Sequence, residues 1–341
     1  MRVLLTGGAG YIASHTAVAL LDAGHDIEVL DDFSNSSEAA VHRVEVISQR
    51  KVPIHRVDLT NSAASAAVFS AGEFDSVVHF AGLKSVSESV SSPVKYYRTN
   101  IGSTLVLLQN MADFGVRRLV FSSSATVYGA NAKLPARETD SVGSSVSNPY
   151  GRTKSMIEEI LRDAATAEPE LKVSILRYFN PVGAHFSGLI GDDPRQIPNN
   201  LFPYVAQVAA GVRDKVQVFG NQYATPDGTG VRDYVHVMDL AKGHTAALAM
   251  VQPGVDVYNL GTGRGTSVLE VIAAFSRAAG RPVPFEIVGA RPGDVAESYA
   301  DVSKARSELG WVAERTLDDA CQDAWRWQSQ NPKGYGADLT I

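Results

Sequence analysis

The sequence predicts an α/β protein built on a doubly wound parallel sheet, followed by a smaller C-terminal α/β domain. Three observations predict it. Short β-branched runs alternate with amphipathic helical stretches, a glycine-rich turn follows the first run, and past about residue 180 the alternation gives way to segments rich in Pro, Gly and Asn. At 341 residues the chain exceeds most single domains, so two units sharing a cleft are expected.

The runs, in order, are "RVLLT" (2–6), "IEVLD" (27–31), "PIHRVD" (53–58), "SVVHFAG" (76–82), "RLVFSSS" (118–124) and "VSILRYFN" (173–180). Strand then helix, repeated, implies parallel strands covered on both faces. After the fourth run Pro93 opens a helix that Gly115 closes, and after the fifth Pro149 opens another. The segments "NPVGAHFSGLIGDDPRQIPNN" and "FGNQYATPDGTGVRDY" then interrupt the pattern, and loops of that length inside a folded protein usually serve function. Helices resume with "TSVLEVIAAFSRAAG" and "TLDDACQDAWRWQSQ". The expected division is 1–180 as the first unit, with part of 232–262 returning to it, and 181–341 mainly as the second.

Composition excludes several functions. Hydrophobic residues make up 45% and charged residues 20%, which suits a soluble globular chain. Thirty-one Lys and Arg against thirty-seven Asp and Glu, with no basic block, argue against nucleic acid as a partner. No apolar run has the eighteen or so residues of a membrane span, and "MRVLLTGG" reads as a strand entering a turn rather than a signal peptide. A cytoplasmic location follows as an expectation. The lone Cys321, flanked by Leu317 and Trp325, reads as a buried helix-face thiol. The eight histidines, His79, His185, His236 and His244 among them, show no metal-ligand spacing, so no metal is expected.

The segment "TGGAGYIASHTAVALLDAG" carries the first chemistry. Gly7, Gly10 and Ala13 stand at G-x-x-G-x-x-A spacing between a strand and a helix, where backbone N–H groups can hold a pyrophosphate. Asp31 ends the second strand, where a carboxylate accepts from an adenosine ribose 2′-OH and repels a 2′-phosphate. Together they predict a Rossmann-type sheet that binds NAD rather than NADP.

"FSSSATVYGA" and "NPYGRTK" carry the second. Ser124 ends the fifth strand, while Tyr150 and Lys154, four apart, share a face of the following helix. In an open parallel sheet both reach the cleft beyond the carboxyl ends of the strands. A phenol is a poor base at neutral pH, but a nearby ammonium and an oxidised nicotinamide both favour the phenolate, and a serine hydroxyl can steady the substrate oxygen. Alcohol oxidation by hydride transfer is the chemistry this set suits.

These segments, with "VVHFAGLKSVSESV", "LRYFNPVGAH", "IPNNLFPYVAQVA", "VFGNQYATPDGTGVRDYVHVMDLA" and "YNLGTG", resemble the extended short-chain dehydrogenase/reductase family over nearly the whole chain. The likeness is greatest to its members that epimerise UDP-hexoses at C4. It implies that Gly7, Gly10, Tyr11 and Ile12 hold the pyrophosphate, that Asp31, Asp32, Asn35 and Ser36 hold the adenosine ribose, and that Asp58 and Leu59 hold the adenine. Phe80, Ala81, Lys84, Thr99 and Asn100 are implied to line the nicotinamide half with Ser124, Tyr150, Lys154 and Phe179. For the nucleotide sugar it implies Lys84, Ser124, Thr126, Tyr150, Asn180, Asn200 and Leu201, then Phe219 against the uracil and Arg232, Arg291 and Asp294 around diphosphate and ribose. Paired guanidinium groups suit a diphosphate.

The resemblance implies that Tyr150 takes the proton of the sugar 4-OH, assisted by Ser124, while NAD accepts hydride from C4. The 4-keto sugar then turns over and receives the hydride on its other face, interconverting UDP-glucose and UDP-galactose. Sugar-nucleotide dehydratases of the family resemble "S-T-D-E-V-Y-G" where this chain has Ala125 and Thr126, so the acid and base needed for elimination are missing. Ser298 aligns with a bulky tyrosine of narrow-specificity members, which implies that UDP-GlcNAc and UDP-GalNAc are also accepted. A homodimer through the helices that open at Pro93 and Pro149 is implied as well. Alternative readings are a 4-reductase, a uronate epimerase, or a non-catalytic NAD(H) sensor that has no need of Tyr150.

Overall fold

The computed structural model describes residues 1–130, 132–195, 197–291 and 293–337. Its centre is a seven-stranded parallel sheet formed by the apolar runs. The strands are β1 (Arg2–Thr6), β2 (Asp26–Asp31), β3 (Ile54–Arg56), β4 (Ser76–His79), β5 (Arg118–Ser124), β6 (Lys172–Tyr178) and a later strand, Gly254–Leu260. The last pairs in register with β6, Gly254 opposite Lys172 through Leu260 opposite Tyr178, and the spatial order is Gly254–Leu260, β6, β5, β4, β1, β2, β3.

Alternation along the strands divides their side chains between two cores. Val3 and Leu5 of β1 face one and Leu4 faces the other, just as Val120 of β5 opposes Leu119 and Phe121. The first core is closed by α1 (Tyr11–Asp22), α2 (Glu38–Ser48) and a later helix, Val237–Met250. The second is closed by α3 (Ser62–Ala71), by a helical run through α4 (Val86–Ser91), α5 (Pro93–Tyr96) and α6 (Gly102–Asp113), and by α7 (Pro149–Ala167). Strand order reverses between β1 and β4, and such a switch point opens a crevice at the carboxyl ends of the strands.

Beyond β6 come β7 (Asn180–Val182), α8 (Leu201–Ala209), β8 (Val216–Phe219), β9 (Val231–Arg232) and β10 (Tyr234–His236). Then follow α9 (Val237–Met250), β11 (Gly254–Leu260), β12 (Thr266–Ser267), α10 (Val268–Ala279), β13 (Phe285–Val288), β14 (Glu297–Ser298), α11 (Ser303–Leu309) and α12 (Leu317–Gln330). Helices α8, α10 and α12 enclose a separate core with Val216 and Val218 of β8, and Cys321 is a buried free thiol inside it, as expected. Capping boxes start α10 at Ser267 and α12 at Thr316. Among the described residues no helix is long and apolar enough to cross a membrane.

The structure shortens three expected strands. The run 53–58 narrows to Ile54–Arg56, the run 76–82 stops at His79 before Gly82 (φ +155°), and the run 173–180 ends at Tyr178. Phe179 N turns to Leu260 O, so Asn180 starts β7 beside β10 instead of prolonging β6. The helix expected over 93–115 holds a π-helical turn at Tyr97–Ile101, with α4 ahead of it. Its cause lies in the turn itself. The Asn100 amide accepts from Leu83 N at 2.7 Å and donates to Leu83 O and Thr153 Oγ1, tying the helix to two other segments.

Candidate active site

The glycine loop lies at the switch point. Gly7 has φ +67°, and a Cβ there would fall 2.7 Å from Ala81 Cα and N, so the loops after β1 and β4 touch through backbone. A Cβ on Gly10 would meet only Gly7 O at 3.3 Å, which leaves the loop open on its outer side. Gly10 precedes α1 with no side-chain cap and no acid in the first turn, so the first N–H groups, at Tyr11 and Ile12, are available to an anion. Ala13 is buried, its methyl accommodated between helix and sheet. Tyr11 donates its phenol to Gly183 O at 2.7 Å, joining this loop to the segment after β7.

Asp31 is 6% exposed and accepts from Ala9 N, Phe33 N and Ser36 Oγ. Burial raises its pKa despite those bonds, so a further donor, such as a ribose hydroxyl, would favour the ionised form. Asp32 accepts from Ser34 N and Oγ, and Asp58 from Thr60 N and Oγ1, so both also shape their own turns. Asn35 is exposed and Leu59 is buried. Uncapped helix donors, an open glycine surface and a buried acid at the end of β2 are what an NAD pyrophosphate and ribose require, and these residues fit that group.

At the end of β5, Ser124 Oγ accepts from Thr126 N at 3.2 Å and Thr126 Oγ1 at 3.0 Å. Helix α7 starts with Asn148 as its cap and Pro149 in its first turn, which brings Tyr150 to the mouth of the crevice. Burial raises the Tyr150 pKa, and a hydrogen bond with Ser124 opposes the rise. Lys154 is 5% exposed, donates to Ser122 O at 2.6 Å and lies 4.8 Å from the Phe121 ring centroid. Burial takes its pKa down to about 8, against the pull of the Glu158 carboxylate. Lys154 is aimed at the β5 backbone, and Ser124 is the group that favours the Tyr150 phenolate.

Around this pair, the Phe80 ring lies 4.9 Å from His244, Ala81 is half-buried, and Lys84 Nζ lies 3.9 Å from Asp192. Thr99 belongs to the π-turn and Phe179 packs near Tyr128 with centroids 6.5 Å apart. Asn100 is turned to the chain, as described above, so it shapes the Gly82–Leu83 turn.

A ladder of strand ends carries the site outward. Ser124 is paired with Tyr178, Asn180 N donates to Asp233 O, Asp233 N donates to Ser298 O, and Ser298 is paired with Arg232. Asp233 is fully buried and accepts from Thr262, Gly263 and Ala300, so it is a structural anchor rather than an ion-pair partner of its neighbour Arg232. Arg232 instead lies 3.6 Å from Asp294, and the Arg291 guanidinium sits 3.6 Å from the Phe219 ring centroid. Arg291 thus lies over the Phe219 ring, Arg232 lies beside Asp294 and Ser298, and Asp294 N donates to Arg291 O, which links the two groups. Asn200 is exposed ahead of α8, and Leu201 begins it. Among the described residues no group of three or more His, Cys, Asp or Glu could hold a metal.

Comparisons with known proteins agree with this geometry. Residues 3–261 match the model of the NAD dependent epimerase/dehydratase family. The chain belongs to this family. A UDP-glucose 4-epimerase of Bacillus subtilis (strain 168) is 53% identical over 337 residues, 98% of this chain and 99% of that protein. The crystal structure of a UDP-glucose 4-epimerase from Bifidobacterium longum in complex with NAD+ and UDP matches with a TM-score of 0.95 at 53% identity, covering 98% of this chain and 100% of that one. A UDP-Glc/GlcNAc 4-epimerase from Campylobacter jejuni matches with a TM-score of 0.84 at 38% identity, covering 96% and 99%.

Several residues of this epimerase-family chain escaped the reading of motifs. Glu158, Arg177, Tyr178 and His244 line the interior behind Ser124 and Lys154. One signal was present: an arginine inside the apolar strand "VSILRYF" and a glutamate one turn beyond Lys154 are charges at buried positions.

Proposed function

We propose that the protein is an NAD-dependent 4-epimerase that interconverts UDP-glucose and UDP-galactose through a transient 4-keto sugar. The observation that carries this reading is that Ser124 at the end of β5 and Tyr150 at the start of α7 both stand at the carboxyl ends of the strands, beside the crevice, while Ala125 and Thr126 supply no carboxylate. Tyr150 removes the 4-OH proton and later returns it, and Ser124 holds the oxygen as it becomes a carbonyl. NAD, when bound, would supply the acceptor and then the donor of the C4 hydride. Gly7, Gly10, Tyr11, Ile12 and Asp31 hold its pyrophosphate and ribose. Arg232 and Arg291 grip the diphosphate, with the uracil against Phe219. In this reading 1–180 with part of 232–262 forms the NAD-binding unit, and the remainder of 181–341 binds the UDP-sugar.

Protein as purified, given UDP-galactose and no added NAD, is expected to yield UDP-glucose without net NADH. Stoichiometric NADH, or no sugar product, counts against the proposal.

Acceptance of UDP-GlcNAc and UDP-GalNAc belongs to the same reading. Ser298, not Tyr299, is paired with Arg232 and so shares its face, which leaves a small side chain beside the diphosphate-binding group. Ser298→Tyr is expected to lower UDP-GalNAc turnover relative to UDP-galactose by about tenfold or more, within what one filled pocket can discriminate. An unchanged ratio refutes it.

The helices opening at Pro93 and Pro149 expose Val94, Leu105 and Met156, and Val90 lies just ahead of them. We assign that face to a second copy, so light scattering should give the mass of two chains, and the mass of one would remove the assignment. A cytoplasmic site of action completes the reading, and recovery outside the cytoplasmic fraction would contradict it.

A further inference from the structure

Behind the catalytic residues lies a buried ion pair that the proposed chemistry does not use. Glu158 and Arg177 are 0% and 1% exposed. Arg177 grips the carboxylate with both arms of its fork, Nε to Oε1 at 3.0 Å and a terminal nitrogen to Oε2 at 2.6 Å, and Ser123 Oγ donates to Oε1 at 2.6 Å. The other guanidinium arm donates to Tyr128 Oη at 3.0 Å and to Glu138 O at 3.2 Å. Tyr128 Oη in turn donates a hydrogen bond to Asn259 Oδ1 at 2.6 Å.

A buried pair can commonly be replaced by apolar groups of the same volume without loss of stability, whereas removal of one partner alone is severe. Its location gives it another part. Ser123 and Tyr128 bracket Ser124 and the 3₁₀ turn Ala125–Tyr128 that carries Thr126, and Ser123 stands opposite Arg177 in the β5–β6 register. Glu158 follows Tyr150 and Lys154 at successive four-residue steps on α7, so all three share a face. One carboxylate thereby ties the helix that bears the base to the strand end that bears the serine.

We infer that Glu158 and Arg177 are positioning residues for epimerisation: together they set the spacing between Ser124 and Tyr150, and Glu158 supplies the negative charge that keeps the Lys154 ammonium in place. The inference rests on the epimerase reading above. The groups around Lys154 are Glu158 of its own helix, the β5 backbone at Ser122, the Phe121 ring and His79 of β4, with Tyr150 one turn away and close to Tyr178 of β6, while Arg177 and Arg162 flank the Glu158 carboxylate itself. Burial holds His79 neutral, with a pKa of about 3, and raises the Tyr178 phenol, so Glu158 is the charge among them that can balance the ammonium. The sign follows. Lys154 loses its proton as pH rises through about 8, and without the Glu158 charge it loses it at lower pH.

The test measures kcat and KM for UDP-galactose against pH in wild type, Glu158→Gln and the double variant Glu158→Leu/Arg177→Met. The expected result for Glu158→Gln is a kcat lower by about tenfold or more, an alkaline limb shifted down by about one pH unit, and a KM within about twofold. The double variant, which leaves neither partner of the Glu158–Arg177 pair buried without the other, is expected to melt near the wild type and still lose kcat to the same extent. It carries the decision if the single variant does not fold. A double variant with wild-type kcat and pH profile overturns the inference, as does a folded Glu158→Gln with an unmoved alkaline limb. A wild-type protein that fails to convert UDP-galactose refutes the epimerase reading itself.

Discussion

Tyr150→Phe is expected to lower kcat by about 10²- to 10⁴-fold, the range that a positioned general base contributes. The substitution removes one oxygen and leaves the ring, so α7 should keep its packing and its Asn148 cap. KM for UDP-galactose and the NAD retained after desalting should stay within about twofold of wild type, because neither the glycine loop nor the Arg232 and Arg291 cluster touches that oxygen. The pH dependence sharpens the test. Burial raises the phenol pKa and only the Ser124 hydrogen bond opposes it, so the phenolate is the scarce form at neutral pH. Wild-type kcat should therefore rise with pH along its acid limb, and that limb should vanish in the phenylalanine variant. A Tyr150→Phe protein that retains more than about a tenth of the wild-type rate would show that some other group moves the proton.

Gly7→Ala is expected to lower Tm by roughly 3–6 °C and to yield protein largely free of NAD, on the scale of about 1–2 °C per kcal/mol for a chain of this length. Two costs combine. An alanine held at φ +67° loses about 1–2 kcal/mol to left-handed strain. Its Cβ also falls 2.7 Å from Ala81 Cα and N, and that backbone cannot withdraw, because Phe80 N is bonded to Thr6 O and Val78 is paired with Leu5. Gly115→Ala is the control, since Gly115 has φ +71° and nothing within 4 Å of the added carbon. It carries the strain without the collision. If the two variants melt within about 2 °C of each other and hold equal NAD, the contact between the two loops is not what position 7 protects.

Much of the site was legible because its parts are local. A glycine turn between strand and helix, an acid at the next strand end, and a Tyr and Lys four apart on one helix face are each read within a few residues. That Ser298, and not its neighbour Tyr299, shares the face of Arg232 is not a local property, since only the strand pairing shows it. Nor are the strand ends: Phe179 leaves β6 because Leu260, eighty-one residues later, offers the acceptor. The π-turn followed from Asn100 meeting Leu83 and Thr153, and no window around Asn100 contains the second of these.

The order of amino acids was enough to predict the alternating sheet and helices, and to point to a candidate dinucleotide loop and a candidate serine, tyrosine and lysine with no neighbouring acid pair. Backbone strain, helix faces and capping depend on near neighbours, so a reader of the chain has the interacting groups in view. Packing alone decided that Lys154 points to Ser122 O, that Arg232 leaves Asp233 for Asp294, and that Glu158 meets Arg177 across α7 and β6. The energy of a buried charge depends on which distant group the fold sets against it, and residues that are separate in sequence acquire that partner only when the two cores close.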